Sequence, residues 1–339
     1  MGAECAGLGA SGSAVHVLSA ADQLLIAEDA QAYVAAGPSL ERDDTGDVVL
    51  FHRPFPDPRA AGACRIRFET SGADRRIDEV RAWMTCRRSG FTWWLGASST
   101  PSDLAERLRS RGAMPDPRDR LLTPMILSDE PPLAPRGVEV RAITSLDEYR
   151  RAREMTWAFY GVASDERNAL SDRLAEEWEW ARADHSFRFG AWIGGQLAAW
   201  ALLQPLTVGP PCLARTSTLS WRAPRAACQA LMRACWDAGV GLGTSGLVAQ
   251  AGEHAKPLLE HLGFRAGDPI RLLFDAGLPG DGDPGGRSHA QPVRAEPARH
   301  RAGGSPGLIE TDGTSVSAQD QRDGQSDAMW RREAWEGAR

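Results

Sequence analysis

Two stretches of this chain, residues 75–127 and 224–274, run through one succession of patterns: a helix, a short apolar strand, a second helix and a last strand. In the first, 75–88 has helical apolar spacing and 91–95 is an aromatic strand. Thr100 and Asp103 then form a capping-box-like pair around Pro101, Leu104 and Leu108 share a helix face, Gly112 stops that helix, and 120–127 reads as a strand. In the second stretch the same order is spelled by 224–238, 246–250, 254–262 and 270–274. The strand-to-helix turns TWWLGASSTPSDL and GLVAQAGEHAKPL fall at corresponding places. Such a repeated order marks a duplicated supersecondary unit. The chain is therefore expected to be α+β, with two lobes that each hold a mixed, mostly antiparallel sheet flanked by helices.

Composition breaks set the boundaries. Residues 128–137, SDEPPLAPRG, carry three prolines and read as a linker between a first lobe at 14–127 and a second at 138–275. From 276 to 339 Gly, Pro, Ser, Asp and Arg dominate, so too little apolar surface exists to offset ordering entropy, and a disordered tail is expected. Its last stretch, AMWRREAWEGAR, reads as a solvated end in preference to a docking peptide built on Met329, Trp330 and Trp335. The first lobe opens with a helix over 19–36 and strands over 48–53 and 63–69. The second opens with a strand over 138–143 and helices over 145–160 and 165–183. FRFGAWIGGQLAAWALL then gives two alternating strands joined at Gly194-Gly195, and 212–221 a further strand.

Several function classes are disfavoured on composition. No apolar run approaches the ~18 residues of a membrane span. The formal charge of −6, with no long basic run, argues against nucleic acid as a partner. The six cysteines show no C-x-x-C spacing, so no metal site is expected and reduced thiols are. Without a basic segment followed by an apolar stretch at the N-terminus, a cytoplasmic location is expected. Lys256 is the only lysine, which reads as codon bias of a GC-rich genome.

The order of elements over 138–274, with its glycine hairpin and the closing pattern P-L-L-E-H-L-G-F at 257–264, resembles the GNAT superfamily of acyl-CoA-dependent N-acetyltransferases. The first lobe is similar to a shortened copy, as in tandem members of that superfamily. The resemblance implies acetyl-CoA as co-substrate, a small-molecule or peptide amine as acceptor, and a loop whose backbone N–H groups cradle the pyrophosphate at a helix N-terminus. The matching positions are Leu219, Ser220, Trp221, Arg222, Arg225 and Ala226, the candidate cofactor-binding residues. The loop departs from the family pattern: no glycine lies between Leu213 and Asp237, and Pro224 has no N–H to give. Arg222 and Arg225 remain as phosphate partners, weighed against exposed arginines at a solvated helix start.

Two further departures concern proton transfer. The resemblance implies a tyrosine four residues before the glycine of the G-F pair, and that position is Leu259. It also implies a carboxylate on the strand before the loop, where this chain offers Thr216, Ser217, Thr218 and Ser220. His254 and His261 lie near the last helix but lack a legible third partner, and they read as surface residues. No catalytic residue is therefore assigned. Cys228 and Cys235 read as small core residues, Trp178 and Trp180 as part of a half-buried helix with an acidic solvent face. Trp93 and Trp94, adjacent on a strand, should face opposite sides. Two functions stay open: an N-acetyltransferase with an unknown amine acceptor, and a catalytically silent GNAT-like scaffold that binds a ligand or partner. A monomer whose lobes pack as a pseudo-dimer is expected, with a homo-oligomer as the alternative.

Overall fold

The computed structural model describes residues 18–35, 37–54, 58–87, 90–116, 120–218 and 224–277; the tail beyond, with Met329, Trp330 and Trp335, lies outside them. Helix α1 (Ala20–Glu28) starts at Ser19, whose hydroxyl accepts the Asp22 N–H at 3.2 Å. It is shorter than the helical spacing over 19–36 predicts. After Asp29 the chain tightens into a 3-10 turn at Ala30–Tyr33. Strand β1 (Glu41–Asp44) was not legible: its sequence ERDD is exposed throughout and shows no alternation. Its charges suit it to the open edge of a sheet. Next come β2 (Val49–His52), β3 (Ala61–Cys64), α2 (Ala73–Thr85), β4 (Phe91–Leu95), α3 (Leu104–Ser110), β5 (Met114–Pro115) and β6 (Leu121–Leu127). The strand expected over 63–69 ends early, because Arg65 turns into left-handed conformation at φ 50°. The expected capping box does not form. Asp103 makes no cap bond and instead pairs with Arg107 at 2.9 Å.

The second lobe holds β7 (Glu139–Ala142), α4 (Leu146–Phe159), α5 (Ser164–Asp172), α6 (Leu174–Ala183), β8 (Phe187–Ile193) and β9 (Gln196–Gln204). It continues with β10 (Cys212–Thr218), α7 (Pro224–Gly241), β11 (Leu247–Ala251), α8 (Lys256–His261), β12 (Arg265–Ala266) and β13 (Ile270–Asp275). The helix expected over 165–183 is broken at Arg173 into α5, which buries nothing, and α6, which buries Leu174, Glu177, Trp178 and Ala181. The acidic face is accordingly not all solvent: Glu177 is buried against Arg153 at 3.1 Å. The β8–β9 turn places Gly194 at φ 56° and Gly195 at φ 76°, the pair of left-handed residues a two-residue hairpin needs.

The strands form one sheet in the order β1-β2-β3-β4-β13-β6-β11-β10-β9-β8-β7. The last strand of each repeat is exchanged. β13, from the second repeat, lies antiparallel against β4 of the first, while β6, from the first, lies antiparallel against β11 of the second. The two exchanged strands meet at the pairs Ile270↔Leu122 and Arg271↔Leu121. The short strands follow the same rule, β5 on β13 and β12 on β6. The duplication extends to helix ends. In α3 the Ala113 N–H reaches back to the Leu108 carbonyl at 3.0 Å, and in α8 the Phe264 N–H to Leu259 at 3.0 Å. In both, a left-handed glycine, Gly112 at φ 93° or Gly263 at φ 97°, makes the turn.

Helices α2 and α3 cover one face of the first lobe through Ile77, Val80, Met84, Leu104 and Leu108, with Trp93 beneath them. Trp94 faces the other way, among Val49, Phe51, Ile270 and Leu272. In the second lobe α7 packs Ala227, Leu231, Met232 and Cys235 on one face. On the other, α4 and α6 bring Tyr149, Met155, Trp157, Leu174 and Trp178 against Trp192 and Trp200. Helix α1 adds Ala27 beside Ile126 and Val248, so it lies over the exchanged strand β6. Among the described residues no helix is long and apolar enough to cross a membrane.

Candidate functional site

Each lobe contains one parallel strand pair bridged by a helix, β3-α2-β4 and β10-α7-β11. A parallel pair that separates at its carboxyl ends leaves a crevice where ligands bind. In the second lobe β10 and β11 pair only at Cys212↔Val248 and Leu213↔Ala249. An irregularity between Leu213 and Arg215 then shifts β10, and Arg215 to Thr218 continue on β9 alone, while Gln250 and Ala251 continue on β6. The pair forks at that point. Helix α7 follows β10 at this end of the sheet, so its N-terminus brings the positive end of the helix dipole there.

Of the six candidate cofactor residues, Leu219, Ser220, Trp221 and Arg222 lie outside the described residues. Arg225 is exposed and Ala226 half-buried on the first turn of α7. Arg225 lines a cleft of 320 Å³ between α7 and the end of α8, together with Gln229, His261, Leu262 and Gly263. The floor on the far side is the linker, through Asp129, Glu130, Pro131 and Pro132. Helix α7 straps that linker down: Gln229 Nε2 donates to the Leu133 carbonyl at 3.0 Å, and Arg233 pairs with Glu130 and donates to the Pro131 carbonyl at 3.4 Å. The linker's role as a wall of this cleft had no sequence signal beyond its prolines.

The proton-transfer positions are occupied as their side chains dictate. Leu259 is buried in the core beside Leu127 and Phe264. His254 is exposed ahead of α8, and His261 is exposed at its end. Cys228 and Cys235 are buried, and burial pushes both thiols up to about 12, so neither is a thiolate at neutral pH. Ser217 is committed elsewhere: its hydroxyl lies 3.0 Å from that of Thr156, which accepts the Trp200 indole N–H at 3.0 Å. All three residues are buried. Thr156→Val should leave the indole N–H and the serine hydroxyl without partners and lower stability by about 1–3 kcal/mol in urea unfolding. Among the described residues no group of three or more His, Cys, Asp or Glu is arranged to hold a metal ion.

The first lobe's fork differs. β3 and β4 pair at Gly62↔Thr92 and Ala63↔Trp93 and then part, but the chain closes over the gap. Thr100 donates its N–H to the Ile66 carbonyl at 3.1 Å and accepts the Phe68 N–H at 3.2 Å. The Thr100 hydroxyl adds a third bond, to the Phe68 carbonyl at 3.1 Å. The first lobe's fork is thus stitched.

Two copies of a forked parallel pair, each with a bridging helix and a following short helix, make a doubled α+β fold. Solved structures agree. A GCN5-related N-acetyltransferase from Kribbella flavida aligns with 75% of this chain and 96% of its own at a TM-score of 0.55 and 17% identity. A functionally unknown conserved protein from Staphylococcus epidermidis ATCC 12228 aligns over 74% and 97% at 0.52 and 10%. At such identities the likeness establishes the fold. No family model matches the sequence, and no curated protein does.

Proposed function

We propose that the second lobe binds acetyl-CoA and transfers its acetyl group to an amine. The observation that carries this reading is the fork of β10 and β11 after Leu213 and Ala249, with the bridging helix α7 carrying Arg225 on its first turn. The pyrophosphate would sit at the start of α7 with Arg222 and Arg225 as charged partners, and the thioester would enter the fork. The amine nitrogen attacks the thioester carbon, the C–S bond breaks with CoA leaving as a thiolate that water protonates, and water takes the proton that the nitrogen loses, since neither Leu259 nor Ser217 serves as acid or base. The gain is then chiefly proximity and orientation. Turnover should be slow.

A titration with acetyl-CoA by calorimetry, beside Arg222→Ala with Arg225→Ala, tests the cofactor. Each charged hydrogen bond to phosphate is worth ~1.5–3 kcal/mol, so the double variant should bind about tenfold more weakly or worse. Absence of binding at millimolar acetyl-CoA would sink the reading. A second reading has its own support: Leu259 packs as core at the proton-donor position, which suits a scaffold that binds without turnover. Binding of acetyl-CoA with no thiol release across a panel of amines would favour it.

A further inference from the structure

The first lobe's fork is filled by two carboxylates that come from outside it. The Glu28 carboxylate accepts both the N–H of Ser98, at 3.0 Å, and its hydroxyl. Asp29 accepts the Arg65 N–H at 3.0 Å on one oxygen and the Arg67 guanidinium at 2.8 Å on the other. Arg67 also reaches the Ser98 hydroxyl at 2.5 Å. The donors therefore converge from the ends of both parallel strands, Arg65 and Arg67 after β3 and Ser98 after β4. We propose that this fork is a binding site for an oxyanion group, phosphate or carboxylate, which the chain keeps closed with its own Glu28 and Asp29.

Three observations support a borrowed ligand in place of an ordinary ion pair. First, Glu28 and Asp29 sit at the C-terminus of α1, where the helix dipole disfavours negative charge. Their placement is thus set by the fork's donors and not by the helix that carries them. Second, the carboxylates are buried side by side, 7% and 5% exposed. Burial pushes the Asp29 carboxyl up, the Arg67 charge opposes that, and Glu28 adds to it. Third, the fork is shaped for close approach. Arg65 holds a left-handed backbone that non-glycine residues rarely adopt, and Gly96 lacks the side chain that would meet Glu28. Backbone N–H groups and a guanidinium gathered at such a concavity form an anion site whatever fills it.

The plug is also tied to the other lobe. Gln250 Nε2 donates to the carbonyls of Ala27 at 3.0 Å and Glu28 at 2.9 Å, and Gln250 is the first residue of β11 past the point where it parts from β10. The end of α1 thus joins the first lobe's fork to that of the second.

The test uses the full chain with Glu28→Ala and Asp29→Ala, titrated with inorganic phosphate and, separately, acetate, against sodium chloride at matched ionic strength. The double variant should bind one of these anions at least tenfold more tightly than the wild type, and adding Arg67→Gln should abolish that gain. Which anion binds separates the phosphate source from the carboxylate one. Should the double variant fold poorly, Gln250→Ala releases the plug's anchor and leaves every donor and both carboxylates in place. It should gain several-fold in anion affinity with the same Arg67 dependence, read also as an anion-specific rise in melting temperature. Unchanged anion binding in the folded variants, or binding indifferent to Arg67→Gln, overturns the proposal.

Discussion

Asp275→Ala should cost about 3–5 kcal/mol of stability, the range for removing one partner of a buried ion pair. Asp275 closes β13, and its carboxylate accepts Arg81 Nε at 2.9 Å and the Trp93 indole N–H at 3.0 Å on one oxygen, the Gly277 N–H at 3.0 Å on the other. The side chains of Asp275 and Arg81 are 3% and 9% exposed, so water cannot replace what the substitution removes. Arg81 would keep a bond to the Arg111 carbonyl at 2.7 Å, but its charge would be buried without a counter-charge. Urea unfolding gives the measurement, as a lower midpoint at unchanged slope. Asp275→Asn, which retains an acceptor for the indole, should lose less. A loss below about 1 kcal/mol for alanine would mean that water reaches the pair.

The sequence carried the repeat because both copies needed the same local chemistry. Leu108, Gly112 and Ala113 in one, and Leu259, Gly263 and Phe264 in the other, stop a helix by one hydrogen-bond pattern, and that pattern is written in five or six residues. The exchange of strands is not written locally. β6 and β13 each need only a central place with apolar neighbours on both faces, and either lobe offers one. Edge strand β1 escaped notice because exposed charges leave no period to detect. The place of Arg225 at a helix start was legible. The forks were not, since they depend on where two distant strands stop pairing. The carboxylates of Glu28 and Asp29 reach donors some 36 to 70 positions away, and nothing in the EDAQAY stretch announces that.

Strand exchange makes a strong demand on the halves. Expressed separately, residues 1–136 and 137–339 should each fail to unfold cooperatively, and mixing them should restore a folded complex. The first half would lose β13 and with it Ile270, Leu272 and Leu273, each fully buried. The second would lose β6, with Met125, Ile126 and Leu127 buried to 2% exposure or less. At ~1.5–3 kcal/mol for each large apolar side chain, either loss removes roughly 5–9 kcal/mol. That is as much as the whole stability of a typical domain, ~5–15 kcal/mol. Each half would also expose a strand that is central in the intact protein, β4 in one and β11 in the other, with a row of unpaired N–H and C=O groups. Mixing supplies the missing strand to both at once, so the complex should form at equal stoichiometry and melt in a single transition. Size-exclusion chromatography with circular dichroism on the halves and the mixture reads this directly. Halves that fold independently, with sharp melting of their own, would mean that each last strand can return to its own lobe and that exchange adds little to either core.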